Sequence, residues 1–140
     1  MKILIIDGQG GGLGRQIVEN IKRLFPNDDL TAVGTNAIAT QTMIKAGADH
    51  AATGENAVCV CAKNADVIIG PMGIVVADSL LGEITPRMAV AVGQSNAVRI
   101  LIPMNQCDNL IAGADNISTA ELVDDCMEHI RRIKSARTAK

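Results

Sequence analysis

Asp7-Gly8-Gln9-Gly10-Gly11-Gly12-Leu13-Gly14-Arg15 sets five glycines between an apolar run and an amphipathic pattern, and this junction decides the fold. Before it stands Lys2-Ile3-Leu4-Ile5-Ile6; after it Leu13, Ile17, Ile21, Leu24 and Phe25 recur at spacings of three and four. The first run is apolar on both faces, as a central parallel strand requires, and the second has the period of a helix. A strand, a glycine loop and a helix in that order form an anion site. Backbone N–H groups converge there with the positive end of the helix dipole, and glycine lets a phosphate approach the main chain. A nucleotide or another phosphate-bearing small molecule is the expected ligand.

The rest of the chain repeats the alternation. Pro26 ends the first helix. Residues 30–34 read as a second strand, Asn36 as the cap of a helix stopped by Gly47, and residues 49–52 as a short third strand before a helix reaching about 64. Asp66-Val67-Ile68-Ile69 is the next strand, and Gly70-Pro71-Met72-Gly73 reads as a second glycine loop. Thr85-Pro86 starts a helix over 86–96, 98–102 is a fifth strand, 109–112 a candidate sixth, and Ser118-Thr119-Ala120-Glu121 caps a long last helix. The basic residues after 133 suit the negative end of that helix and read as a solvated, frayed tail over 134–140. The fold class is therefore α/β, a doubly wound, Rossmann-like parallel sheet of five or six strands with helices on both faces, in one domain over 1–140. If the first strand lies beside the fourth, both glycine loops face one crevice at the carboxyl ends of the strands, where such sheets bind ligands.

Composition narrows the function. The 140 residues are 48% hydrophobic and 20% charged, with a net charge of -2, no Trp, no Tyr and one Phe. Stacking of bases on aromatic side chains and a basic phosphate-binding face are both missing, so nucleic acid is not an expected partner. No apolar run approaches the roughly 20 residues that cross a bilayer, and no signal-peptide pattern stands at the start, so neither a membrane nor a secretory route is expected and the location read is cytoplasmic. A mean hydropathy of +0.23 with an aliphatic surface helix leads to the expectation of a homo-oligomer. Cys59 and Cys61 on a helix point about 200° apart and pack rather than chelate, and His50 and His129 belong to no ligand-spaced pair, so no metal is expected. Glu83 and Arg87 read as solvated residues beside the Thr85-Pro86 cap.

The spacing separates three phosphate-binding loops. G-x-G-x-x-G needs a glycine where Leu13 stands. The P-loop needs Lys and Ser or Thr after Gly14, where Arg15 and Gln16 follow. G-x-x-x-G-x-G is met by Gly8, Gly12 and Gly14, and it resembles the nicotinamide-cofactor loop of short-chain dehydrogenases and related extended Rossmann proteins over about the first 36 residues. That resemblance implies NAD(P) as cofactor. Its contacts would be Gly8, Gln9, Gly10, Gly11, Gly12, Leu13, Gly14 and Arg15, with Thr35 and Asn36 at the ribose and Gly70, Pro71, Met72 and Gly73 across the crevice. The Tyr-x-x-x-Lys pair of those enzymes is absent, since the chain has no tyrosine. The acid that would hold the ribose 2′-hydroxyl is replaced by Gly34-Thr35-Asn36, which favours NADP over NAD. Asp7, Asn105 and Gln106 are the substrate candidates: Asp7 by an Asx-type bond to its own loop or by a metal or substrate contact, the two amides as readers of a polar edge. The whole chain also resembles a small uncharacterised bacterial family of Rossmann-like proteins, a domain of unknown function, which implies a fold and no activity. The function expected is a nucleotide-binding module that senses its ligand or works with a partner. The alternative is a small enzyme on a phosphorylated or nucleotide substrate with Asp7 as base or metal ligand.

Overall fold

In a strand successive side chains point to opposite faces, and in Lys2–Asp7 (β1) both faces are covered: Ile3 and Ile5 lie in one apolar cluster, Leu4 and Ile6 in the other. The structure, a computed structural model, describes residues 1–104 and 109–139. After β1 come Gly12–Leu24 (α1), Asp29–Gly34 (β2), Ala37–Ala46 (α2), His50–Thr53 (β3), Glu55–Ala62 (α3), Val67–Pro71 (β4), Pro86–Gln94 (α4), Val98–Ile102 (β5) and Thr119–Thr138 (α5). Among the described residues the sheet has five strands, all parallel, in the order β3-β2-β1-β4-β5.

The order fixes the architecture. From β1 the chain steps outward to β2 and β3, then α3 carries it back to β4 on the other side of β1. Ile17, Val18 and Ile21 of α1, Met43 of α2, and Val123, Cys126, Met127 and Ile130 of α5 pack on the face of Ile3 and Ile5. Val58 and Ala62 of α3 with Met88, Ala89 and Val92 of α4 pack on the face of Leu4 and Ile6. This is the doubly wound α/β arrangement expected, with the direction reversing between β1 and β4. Each buried Ile or Leu contributes on the order of 1.5–3 kcal/mol, so an aliphatic core of this size needs no aromatic side chain.

Local signals explain most boundaries. Asn36 Oδ1 accepts the Ala39 N–H (2.9 Å), Thr85 Oγ1 the Met88 N–H (3.2 Å) and Ser118 Oγ the Glu121 N–H (3.2 Å), so the three caps read from the sequence start α2, α4 and α5. Gly47, left-handed at φ 115°, ends α2. Cys59 and Cys61 are helical, with Cys59 buried.

Three expectations are corrected. Gly70 and Pro71 are not a loop: β4 runs through them, paired with Leu101 and Ile102, because a Cβ-free residue at 70 lets the strand press against the Ile6 carbonyl. Residues 109–112 do not form a sixth strand: an isolated bridge at Asn109 goes no further, the chain turns at Gly113 (φ 81°) and Asn116 (φ 63°), and Leu110 is 99% exposed. The stretch 134–138 is not frayed: α5 continues to Thr138, its Lys134 ammonium donates to both oxygens of buried Asp28 (2.8 and 2.6 Å), and Arg137 pairs with Asp66 (3.2 Å).

The Lys134–Asp28 pair ties the last helix to the turn before β2. Burial pushes the Asp28 carboxyl up, but hydrogen bonds from Lys134 and from the Met1 nitrogen outweigh it and hold the group below its ordinary value. A depressed native value contributes stability that is present above the unfolded value near 3.8 and lost as pH falls through the native one. Replacing Lys134 by Met should therefore destabilise the fold by about 1–3 kcal/mol in urea titrations at pH 7. The gap from wild type should close in titrations at a pH below the native Asp28 value.

Candidate functional site

β1 ends at Asp7, and the next residues fold over its end. The Gly11 N–H bonds the Gly8 carbonyl (3.0 Å), Gln9 takes a left-handed backbone at φ 51°, and Gly11 at φ 75° turns the chain into α1. The loop borders a cavity of about 190 Å³ lined by Asp7, residues 8–13, Pro71, Leu80 and Met104. It lies at the carboxyl ends of β1 and β4, the point where the sheet reverses direction.

The five glycines of the loop serve different ends. A Cβ on Gly14 would stand 2.5 Å from Met43 Sδ and 3.0 Å from Asp7 Cβ, one on Gly11 2.8 Å from Ala39 Cα, and one on Gly8 2.6 Å from Thr35 Oγ1. These three are demanded by packing, and Gly11 by its backbone as well. Gly10 and Gly12 have ordinary backbone angles, and a Cβ on either would meet nothing within 4 Å. The folded chain does not require them to be glycine.

Asp7 is only 6% exposed, and among the described residues its side-chain partners are backbone amides rather than cations. Its Oδ1 accepts the Gly8 N–H (2.8 Å) and its Oδ2 the Gly14 N–H (2.7 Å). Burial pushes the carboxyl up, the two amides pull it down, the charge of Glu83 adds a smaller push up, and the net direction is upward. The carboxylate thus joins the end of β1 to the first turn of α1.

Glu83, expected in solvent, is instead part of the site. Its Oε1 accepts Thr35 Oγ1–H (2.5 Å), Asn36 Nδ2–H (2.7 Å) and the Gln9 N–H (3.1 Å). Burial pushes its carboxyl up, but these three bonds outweigh it and hold the group below its ordinary value, so it is ionised at neutral pH. Asn36 also donates to the Gln9 carbonyl (2.9 Å) while capping α2, so one side chain joins the glycine loop, the end of β2 and Glu83. Nothing local in Gly82-Glu83-Ile84 marks it, because Thr35 and Asn36 lie 48 and 47 residues away.

The other expected site residues separate. Thr35 and Asn36 meet the loop both through Glu83 and directly, Thr35 N–H donating to the Asp7 carbonyl (3.0 Å) and Asn36 to that of Gln9. Arg15 does not line the cavity and pairs with Glu19 (3.1 Å). Pro71 lines the cavity, Met72 is half-buried, Gly70 is spent on the Ile6 carbonyl, and Gly73 lies against Ser79, where a Cβ would stand 2.9 Å from its Oγ. Asn105 and Gln106 lie outside the described residues. Arg87 is exposed and 3.9 Å from Glu55; His50 and His129 are exposed, each within 3.3 Å of an aspartate. Among the described residues no group of three or more His, Cys, Asp or Glu is placed to hold a metal ion, and no helix is long and apolar enough to cross a membrane. A second cavity, about 270 Å³, runs between β5 and α5 past Cys126, whose thiol burial and the Asp125 charge push up to about 12, leaving it an unreactive core group.

A family model described as a domain of unknown function, DUF3842, matches residues 2–135. No curated protein and no solved structure matches the chain.

The glycine distinction is measurable. Gly14→Ala should destabilise the protein by about 2 kcal/mol or more, whereas Gly12→Ala should be neutral or stabilising by up to about 1 kcal/mol, both read as urea midpoints. Asp7→Asn should also lose about 1–3 kcal/mol, because an amide offers one acceptor oxygen to two N–H donors.

Proposed function

The chain belongs to the DUF3842 family, a domain of unknown function, and since membership supplies no activity we propose from the loop geometry that it binds a nucleotide, best matched by a nicotinamide dinucleotide, NAD(P). The observation that carries this is the open pair Gly10 and Gly12 beside the cavity. At those two positions side chains are absent without a structural reason, and the backbone is left bare where a phosphate would approach. The Gly12 and Leu13 N–H groups, at the first turn of α1, supply donors and the positive end of the dipole, worth about half an elementary charge.

Charge selects among nucleotides. Among the described residues the cavity lining has no Lys or Arg, and it has Asp7 on one side with Glu83 close by. A pyrophosphate diester, less charged than a nucleoside triphosphate, suits amides and a dipole without a cation. The volume of about 190 Å³ is below the ~300–1,000 Å³ of pockets that enclose a drug-sized ligand, so it fits the pyrophosphate, with the nucleosides lying along the open carboxyl edge.

The module acts as a sensor or with a partner that supplies the chemistry. In the alternative, a small enzyme on a phosphorylated or nucleotide substrate with Asp7 as base or metal ligand, Asp7 would have to release N–H groups that now occupy both its oxygens.

Thermal-shift measurements with NAD, NADP and ADP test the reading. At a ligand concentration 100 times Kd the shift should be about 5–10 °C, from ~2.7 kcal/mol of linkage. Gly12→Val should abolish the shift while leaving the unliganded midpoint near wild type. No shift with any of the three ligands would overturn the reading.

A further inference from the structure

Resting on the nucleotide reading above, we propose that the Glu83 carboxylate reads the ribose of the bound nucleotide, so that the site takes a ligand with a free 2′-hydroxyl and excludes one carrying a 2′-phosphate. Three observations converge on it.

Placement is the first. Glu83 arrives from the connection between β4 and α4, yet it stands over the end of β2, bonded to Thr35 and Asn36, with its Oε1 3.2 Å from where a Cβ of Gly8 would be. The carboxylate therefore borders the glycine loop on the side of β2, next to the cavity proposed for the pyrophosphate. A ribose joined to that pyrophosphate and lying toward β2 passes Glu83.

The second is its unfilled valence. Oε1 takes three donors, while Oε2 accepts no hydrogen bond from the described residues. An ionised carboxylate is an acceptor only. A ribose hydroxyl donates to it. A phosphate at neutral pH brings further negative charge and no matching donor. The charged groups around it make no compensation: Asp7 is a second carboxyl rather than a cation, Arg15 is engaged with Glu19, and all three donors to Oε1 are neutral.

The third is the backbone that delivers it. Asp78, Leu80 and Leu81 adopt left-handed angles, φ 65°, 55° and 56°, without being glycine. Such residues cost on the order of 1 kcal/mol each and persist where surrounding structure holds them. Here Ser79 Oγ–H bonds the Gly73 carbonyl (2.5 Å), the Asp78 N–H the Ile84 carbonyl (2.7 Å), and Leu80 is buried against the position of Gly8. The strained turn fixes both Leu80 at the cavity wall and Glu83 beside it.

This reverses what the sequence implies about the cofactor. The missing acid after β2 leaves room for a 2′-phosphate, but a carboxylate from a different segment occupies that room.

Calorimetric titration of the full chain with NAD, NADP, ADP and 2′-deoxy-ADP decides it. The wild type should bind NAD at least about tenfold more tightly than NADP, and ADP more tightly than 2′-deoxy-ADP. Glu83→Gln should bring each ratio to within about threefold of unity. The deoxy comparison on wild-type protein keeps the test valid if the variant folds poorly. Equal affinity for NAD and NADP, or ratios unchanged in Glu83→Gln, would overturn the role of Glu83 while leaving nucleotide binding intact. If no nucleotide binds the wild type, the nucleotide reading itself fails and this one with it.

Discussion

One buried carboxylate grips two backbone amides, and the site depends on it. Asp7 leaves water at the end of β1 and recovers the loss only through the N–H groups of Gly8 and Gly14. Those bonds fix where α1 starts relative to β1. Once Gly14 is drawn onto Asp7, its Cα faces Met43 with no room for a Cβ, so the same contact sets the approach of α2. The Gly14 amide is consumed within the protein. The earlier amides of the turn, at Gly12 and Leu13, are left for whatever enters the cavity.

That arrangement gives the loop an unusual electrostatic character. A helix N-terminus attracts anions, yet two carboxylates stand within its reach and no cation lines the described wall. The conflict resolves if each carboxylate is matched by donors. Asp7 has its two amides, and Oε1 of Glu83 has Thr35, Asn36 and Gln9. For Glu83 these bonds outweigh the cost of burial and hold its carboxyl below the ordinary value, whereas at Asp7 burial outweighs the two amides and the carboxyl stays above it. It is this field that the proposed reading matches to a ligand of modest charge with hydroxyl donors rather than one crowded with phosphates.

Local patterns carried the sequence reading as far as local physics reaches. The apolar run 3–6, the Asn36, Thr85 and Ser118 caps and the Gly47 stop are each decided within one helical turn, and each was legible. From them followed the parallel doubly wound sheet, while the neighbourhood of β1 and β4, only a condition in the sequence, is supplied by the structure. What escaped depends on partners distant in the chain. Gly70 is needed by the Ile6 carbonyl of a neighbouring strand, Lys134 is ordered by an aspartate 106 residues away, and Glu83 is recruited across the crevice. The loop itself is visible at once, but a glycine count does not say what each glycine faces, and Gly70 faces the Ile6 carbonyl while Gly73 faces Ser79.

The distinction between glycines also changes what the motif means. Matching Gly8, Gly12 and Gly14 to one spacing treats them as equivalent, whereas the structure divides them: 8 and 14 serve packing, and 12 has open space with an ordinary backbone. Gly10, outside the spacing, shares the condition of Gly12. A glycine that neither its φ nor its neighbours demand gives up roughly 0.5–1 kcal/mol of backbone entropy relative to alanine with no return inside the fold. On the proposed reading the return lies outside it, in a phosphate that needs the bare main chain beside the cavity. The proposed phosphate contact therefore falls to Gly10 and Gly12, the two glycines of the loop that the fold can do without, rather than to the G-x-x-x-G-x-G spacing as a whole.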